Sequence, residues 1–426
     1  MKIRKEYDVI VVGGGPAGSA TSTFLAKQGR SVLLVEREPF PRFRIGESFM
    51  PATWWTFEKL GLLPKLHASD FTRKHGVQFW LGDGRPTRPF YFSDVDPNDS
   101  AITWQVDRGA FDSLMLEHAR ECGVEVLQPA VVSEMILDGG QARGVRLSLD
   151  GGTPREIASK VVVDSTGQAA LMASSKIKRT YDPVLRNTAI FTRFEKAYRD
   201  PGRDAGSTLV MHTQEDRAWF WYIPLAGDVV SVGVVGPVAW LATNRSGSLQ
   251  ETFDEEVARC PSLVPRIQGR KQVGGIKALR DFSYISDRIS GDGWVLVGDA
   301  FGFLDPIYSS GVLLALTGAD MASESIAAAF RTGDFSAATL GQHGHRFVKG
   351  MEAMRHLVYA FYMPDFHFKK FLERYPECRP DLTDVLVGNV YRKPTDSLYE
   401  KMDHVMSLPP GYKPLSLGTP VRSLSE

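Results

Sequence analysis

Near the start of the chain, Asp8-Val9-Ile10-Val11-Val12-Gly13-Gly14-Gly15-Pro16-Ala17-Gly18 restricts the fold more than any other stretch. The β-branched run Val9 to Val12 reads as a fully buried strand, and Ser19 to Lys27 as a helix closed by Gly29. Between them, Gly13, Gly15 and Gly18 fill the pattern Gly-x-Gly-x-x-Gly. The first glycine permits a tight turn, the second lets a pyrophosphate approach the backbone, and the third lets helix and strand pack closely. The helix then directs its unpaired N–H groups at the phosphates. Ser31 to Val35 reads as a second strand, and Glu36 at its end can accept both hydrogen bonds of an adenosine ribose. Strand, glycines, helix, strand and acid follow in order within about 30 residues, which is the layout of a dinucleotide site.

A chain of 426 residues is too long for one small core, so coupled subdomains are expected. Fifty basic residues balance fifty acidic ones, which gives no argument for nucleic acid or an anionic membrane as partner. Cys122, Cys260 and Cys378 are widely spaced and suit a reducing cytosol, and the nine histidines lack metal-ligand spacing. Met1 to Glu6 runs straight into the first strand, so no signal peptide is expected and a cytoplasmic location follows. The most apolar stretch, Ala218 to Thr243, is broken at Gly227-Asp228 and reads as two strands and a turn, so no transmembrane segment is expected.

Trp54 to Leu60 reads as a short helix closed by Gly61, Lys74 to Gly82 as a strand, and Arg108 to Glu121 as an amphipathic helix. Short strands at Val124–Leu127, Val131–Leu137 and Val145–Leu149 form a meander that returns to a buried strand at Val161–Val163. Thr188–Phe194, Ser207–His212, Ala218–Ile223, Val229–Val235 and Gly274–Leu279 suggest a second, largely antiparallel sheet. Trp294–Val297 leads into Gly298-Asp299, and Gly311 to Phe330 reads as a long helix. Phe347 to about Tyr375 is helical and aromatic, and Ser407 to Glu426 is rich in Pro and Ser and reads as extended. No second Gly-x-Gly-x-x-Gly occurs, and the meander replaces the alternating units that complete a nicotinamide dehydrogenase sheet, so the layout favours FAD over NAD.

The expected architecture is therefore α/β (α+β): a Rossmann-like FAD-binding domain with a β-meander, a second mostly antiparallel substrate-domain sheet, and a helical C-terminal region. The boundaries are 1–73 with 104–175 and 285–340 for the first, 74–103 with 176–284 for the second, and 341–426 for the third.

Gly298-Asp299, taken with the early glycines, Glu36 and Arg108, resembles the two-domain flavoprotein monooxygenase superfamily over roughly residues 5–50, 104–168 and 290–325. Three further features resemble one branch of it, the FADH2-dependent halogenases of phenol or pyrrole type. Trp219-Phe220-Trp221-Tyr222-Ile223-Pro224 fits the pattern Trp-x-Trp-x-Ile-Pro, and on a strand Trp219, Trp221 and Ile223 share one face. Phe303 to Gly311 fits Phe-x-x-Pro-x-x-Ser-x-Gly, and its Ser309-Ser310-Gly311 precedes a helix whose N–H groups can hold an anion, although plain serine capping is the simpler use of such residues. Lys74 follows Gly46-Glu47-Ser48 in a setting similar to the family's essential lysine, where a buried amine would have a lowered pKa; alone, a lysine is usually a solvated surface charge.

The resemblance implies cofactor contacts from Gly13, Gly15, Ala17, Gly18, Glu36, Arg44, Ser48, Arg108, Asp299, Pro306 and Gly311, and halide contacts from Ser309, Ser310 and Gly311. It implies a separating wall at Trp219 and Trp221, with Lys74 as the group that directs halogen, and no metal. Reduced FAD from a separate flavin reductase, O2 and chloride or bromide would generate hypohalous acid. The substrate would be a small electron-rich aromatic, free or tethered to an acyl or peptidyl carrier protein. A monooxygenase or prenyl-chain reductase on the same scaffold is the alternative, since a related Trp and aromatic motif occurs among the prenyl reductases. A non-catalytic flavin-binding protein is a third reading, against which the retained Lys74 and Ser309 to Gly311 argue.

Overall fold

The computed structural model describes residues 3–418 apart from 95, 150, 170, 172–176 and 244. The boundary expected at residue 175 lies outside the described residues, as do the last eight residues of the C-terminal stretch.

The first strand, Glu6–Val12, is the middle of an eight-stranded sheet. It pairs in parallel with Val32–Val35 on one side and Arg155–Asp164 on the other, with Val11 opposite Leu34 and Val163. Glu125–Leu127 and Trp294–Leu296 extend the parallel set outward. A strand covered on both faces must be apolar throughout, and Val9, Ile10 and Val11 are fully buried. Each such side chain contributes about 1.5–3 kcal/mol on burial. The helix Pro16–Lys27 and the long helix Ser310–Thr332 cover one face, where Leu25, Ala322 and Ile326 meet Val9, Val11 and Val295. Ser310–Thr332 is long and apolar enough to cross a membrane, but 72% of its apolar window is buried inside the molecule. The hairpin Ala130–Asp138 and Gln141–Leu149 attaches antiparallel to Arg155–Ala158, so the expected meander is present.

A second sheet of seven strands runs in the order Lys271–Arg280, Asn187–Glu195, Val229–Pro237, Trp219–Pro224, Thr208–His212, Gly76–Trp80, Phe90–Tyr91. All its pairings are antiparallel except that of Thr208–His212 with Gly76–Trp80. The alternation of strand side chains divides its faces. Phe220, Tyr222, Val232 and Val234 turn toward Phe253 of the helix Leu249–Ala258. Trp219, Trp221, Phe191 and Val210 turn the other way, into the central core.

The strand expected over Lys74 to Gly82 is two strands. Thr72–Lys74 pairs with Thr103–Gln105 in a small separate sheet, and Gly76–Trp80 joins the seven-stranded one. The chain changes sheets at His75 and passes under Phe90, where a Cβ on Gly76 would lie 2.4 Å from the Phe90 carbonyl oxygen. Thr72 to His75 carry no apolar side chain, so apolar periodicity does not mark where the first strand ends.

The C-terminal region consists of the helices Gly344–Tyr362, Phe368–Arg374, Arg379–Val387 and Asp396–Asp403. Residues 407–418 carry no helix or strand but are tied down, with Lys413 O accepting from Arg355 (3.0 Å) and Leu415 N donating to Glu352 (3.0 Å).

Candidate active site

A cavity of about 800 Å3 is lined from both large sheets. At its first end the glycine turn fixes the backbone. Gly13 has φ +106°, and a Cβ on Gly18 would lie 1.9 Å from Gly13 O, so only glycine permits the helix to start there. Gly13, Gly15 and Ala17 line the cavity; Gly18 lies behind them, closing helix against turn. The Glu36 carboxylate accepts from Gly14 N (2.6 Å) and Glu38 N (2.9 Å), which locks the acid at the strand end. Arg44 lines the cavity and pairs with Glu38.

Beside this end two arginines share one carboxylate. Asp112, fully buried, accepts from Arg108 Nε (2.9 Å) and from Arg42 Nη1 (2.8 Å). Burial opposes the charge on Arg108, but Asp112 together with Asp299 and Glu47 outweighs it and raises the pKa; at Arg42 burial prevails and lowers it. Both guanidinium groups reach the cavity wall, as does Asp299. Burial pushes the Asp299 carboxyl up to about 6 against the attraction of Arg108 and Arg179. Its backbone oxygen accepts from the Tyr284 hydroxyl (2.6 Å), and its carboxylate receives no hydrogen bond from the described residues. Cations for a pyrophosphate, a glycine turn open to it and a carboxylate with unused acceptors for hydroxyls are what a flavin dinucleotide requires. The residues present therefore fit FAD.

The indoles of Trp219 and Trp221 line the same cavity with Ile223, their centroids 6.5 Å apart. Trp221 Nε1 donates to Ser231 Oγ (3.2 Å). Trp219 Nε1 donates to Tyr362 Oη (2.9 Å), whose own proton points to Asp305 (3.1 Å), so the C-terminal helix sets the angle of this ring. Gly233 lies opposite Trp221 in the ladder, and a Cβ there would fall 2.2 Å from the indole. Gly233→Ala is expected to push Trp221 into the cavity and weaken flavin binding at least about tenfold, since overpacking costs about 1–3 kcal/mol. A flavin titration monitored by tryptophan fluorescence checks this, and an unchanged spectrum with unchanged affinity contradicts it.

Ser309 and Gly311 also line the cavity, whereas Ser310 is buried off its wall. Ser309 has φ +58° at the start of the long helix and makes no side-chain cap, so it does not serve as an ordinary N-cap. Pro306 completes this part of the lining.

Lys74 is buried, but it is not on the cavity wall. Its ammonium donates to Ser48 Oγ (2.9 Å) and Phe49 O (3.0 Å) and lies 5.4 Å from the Phe92 ring centroid. Burial alone holds its pKa down to about 7. Ser48 and Thr208 stand on the wall in its place. Sequence reasoning missed Asp112, Thr208, Asp305 and Tyr362. Asp112 was within reach, because a carboxylate four residues after Arg108 on a helix shares its face; the others become neighbours only through the tertiary fold.

A family profile for tryptophan halogenases matches residues 8–100 and 96–367. The chain belongs to this family. As a flavin-dependent halogenase it is an oxidoreductase that works with FAD and halide. It is similar to a 1H-pyrrole-2-carbonyl-[peptidyl-carrier protein] chlorinase of Pseudomonas fluorescens, 31% identical over 424 aligned residues that cover 94% of this chain and 93% of that one. A 1H-pyrrole-2-carbonyl-[peptidyl-carrier protein] brominase of Pseudoalteromonas luteoviolacea is 32% identical over 335 residues, covering 78% of this chain and 80% of its own. Among solved structures, the flavin-dependent brominase Bmp2 superposes with a TM-score of 0.83 at 28% identity, over 94% of this chain and 98% of the other. These relatives support halogenation over the monooxygenase and prenyl-reductase alternatives.

Proposed function

We propose that this halogenase delivers electrophilic halogen from the flavin cavity to Lys74 and from there to a pyrrole or phenol ring tethered to a carrier protein. The observation that carries the reading is the buried Lys74 ammonium, which has a hydroxyl and a carbonyl as partners and no carboxylate acting on it among the described residues. An amine in that setting can shed its proton near neutral pH and meet hypohalous acid as a nucleophile.

Gly13, Gly15, Ala17 and Gly18 would receive the dinucleotide, with Glu36 at its ribose, Arg44 and Arg108 at its phosphates, and Asp299 at a ribityl hydroxyl. Ser48, Pro306 and Gly311 would close around the ring system. When bound and reduced, FAD supplies with O2 the oxidising equivalents that turn halide into hypohalous acid. The positive φ of Ser309 and the first N–H groups of the helix at Ser310 and Gly311 would hold the halide at a positive helix end. Trp219 and Trp221 would keep the aromatic substrate away from the flavin. A separate flavin reductase would provide reduced FAD, and both proteins would work in the cytoplasm.

Similarity to a chlorinase and a brominase of carrier-bound pyrrole makes tethered pyrrole-2-carboxylate the first substrate to test. With a flavin reductase, NADH and either halide, mass spectrometry of the carrier is expected to show halogen added to the tethered ring and at least about tenfold less on the free acid. Halogenation of free phenols alone would overturn the carrier assignment. Oxygen insertion without halogen would return the reading to a monooxygenase.

A further inference from the structure

Between Lys74 and the cavity stand two hydroxyls. Ser48 Oγ accepts from Lys74 Nζ at 2.9 Å and lies 3.0 Å from Thr208 Oγ1. Ser48 and Thr208 line the cavity, while Lys74 does not. Gln105, fully buried, fixes the outer member of the pair: its Nε2 donates to Gly206 O (2.8 Å) and to Thr208 Oγ1 (3.2 Å). One lone pair of Thr208 is thereby occupied, and its own proton can turn to Ser48, to Gln105 Oε1 at 3.4 Å, or into the cavity.

Backbone geometry makes the arrangement rigid. Phe49 N donates to Trp104 O (3.1 Å) and Val106 N to Glu47 O (2.7 Å), which binds the Ser48 loop to the strand Thr103–Gln105. That strand pairs with Thr72–Lys74, placing Lys74 opposite Thr103. A Cβ on Gly206 would lie 2.0 Å from Arg73 O, so glycine at this position allows the Lys74 strand to press against the start of Thr208–His212. The nearby charges are engaged elsewhere. Glu47 pairs with Arg193 (Nε at 3.1 Å), Asp204 accepts from Tyr91 (2.9 Å), and Arg73 lies over the Trp104 ring. The neighbouring His75 imidazole is held neutral-leaning by burial and by Arg203 and Arg73.

We propose that Ser48 and Thr208 form a hydroxyl relay through which the buried Lys74 amine exchanges its proton with the cavity. The idea deepens the reading of Lys74 as halogen carrier and rests on it. In the forward direction Lys74 gives a proton to Ser48, Ser48 gives its own to Thr208, and Thr208 releases its own to water in the cavity. Each hydroxyl ends with one proton, one proton has left, and the amine keeps its lone pair. Ser48 and Thr208 are positioning residues in this scheme, acting through Lys74, and Gln105 orients the outer one.

Two measurements test it. In flavin-free protein, acylation of Lys74 by acetic anhydride is followed against pH by peptide mass spectrometry. A hydrogen bond to the ammonium favours the charged form, so Ser48→Ala is expected to lower the midpoint by about one pH unit or more. In enzyme supplied with reduced FAD, O2 and bromide, Thr208→Val is expected to cut oxidised bromine retained on the protein at least about tenfold, with Thr208→Ser restoring it to within about twofold. An unshifted midpoint in Ser48→Ala overturns the relay, as does wild-type retention and pH profile in Thr208→Val. A shifted midpoint with no bromine retained even by wild type supports the hydroxyl link to the amine and instead removes Lys74 as halogen carrier.

Discussion

Lys74→Met is expected to abolish halogenation, by at least about 100-fold, while flavin still binds. Methionine fills the space of the lysine stem and removes the amine, leaving Ser48 and Phe49 O without their donor. The side chain is off the wall of the flavin cavity, which is why cofactor affinity should survive. The same substitution has a stability signature with a defined sign. Folding lowers the Lys74 pKa from 10.5 to about 7, so between these values the unfolded chain holds a proton that the folded chain releases. Stability therefore rises with pH across this window, and the penalty for the buried charge is complete below pH 7. Lys74→Met escapes it and should be more stable than wild type by of order a few kcal/mol at pH 6, with the advantage fading toward pH 10. Urea unfolding at both pH values reads this directly. A variant no more stable relative to wild type at pH 6 than at pH 10 would show that the ammonium is not penalised by burial.

Removing Asp112 should have the larger structural effect. Its carboxylate is the shared partner of Arg42 and Arg108, three groups that are almost entirely buried. Asp112→Ala leaves two neighbouring guanidinium groups short of a counter-charge, with Glu36 the remaining acid near Arg42 at 3.7 Å. Breaking a buried pair by deleting one partner costs about 3–5 kcal/mol. The arginines should also turn away from the cavity, weakening FAD binding at least about tenfold. Chemical denaturation and a flavin titration measure the two effects separately. Loss of stability with unchanged flavin affinity would mean that Asp112 supports the helix Arg108–Glu121 and not the cofactor site.

The elements that sequence made plain are those governed by local rules. Arg108–Glu121 is a helix with the bounds its apolar spacing predicts, and Gly61 ends its helix in a left-handed conformation, as a glycine stop should. The Trp219 and Trp221 side chains share a face because a strand repeats every two residues. The sheet change at His75 was hidden, because Thr72 to His75 carry no apolar periodicity that would mark the end of a strand. The burial of Lys74 was legible through the family resemblance and not through any local pattern. Its burial depends on Ser48, Thr103 and Thr208, which come together through contacts between distant strands, and no local pattern announces a hydroxyl in front of an amine. Ser310 falls on an unspecified position of the matched pattern, and its side chain lies off the cavity wall where the specified Ser309 and Gly311 stand.

The most direct measurement needs no aromatic substrate. Wild type and Lys74→Ala are mixed with enzymatically reduced FAD, O2, catalase and chloride or bromide, and oxidised halogen is titrated in the protein and in solution. The account predicts oxidised halogen that depends on both halide and reduced flavin, with the protein-bound fraction present in wild type and absent from Lys74→Ala. Normal flavin oxidation with no oxidised halogen would contradict halogenation, and an equal bound fraction in the two proteins would contradict the role assigned to Lys74.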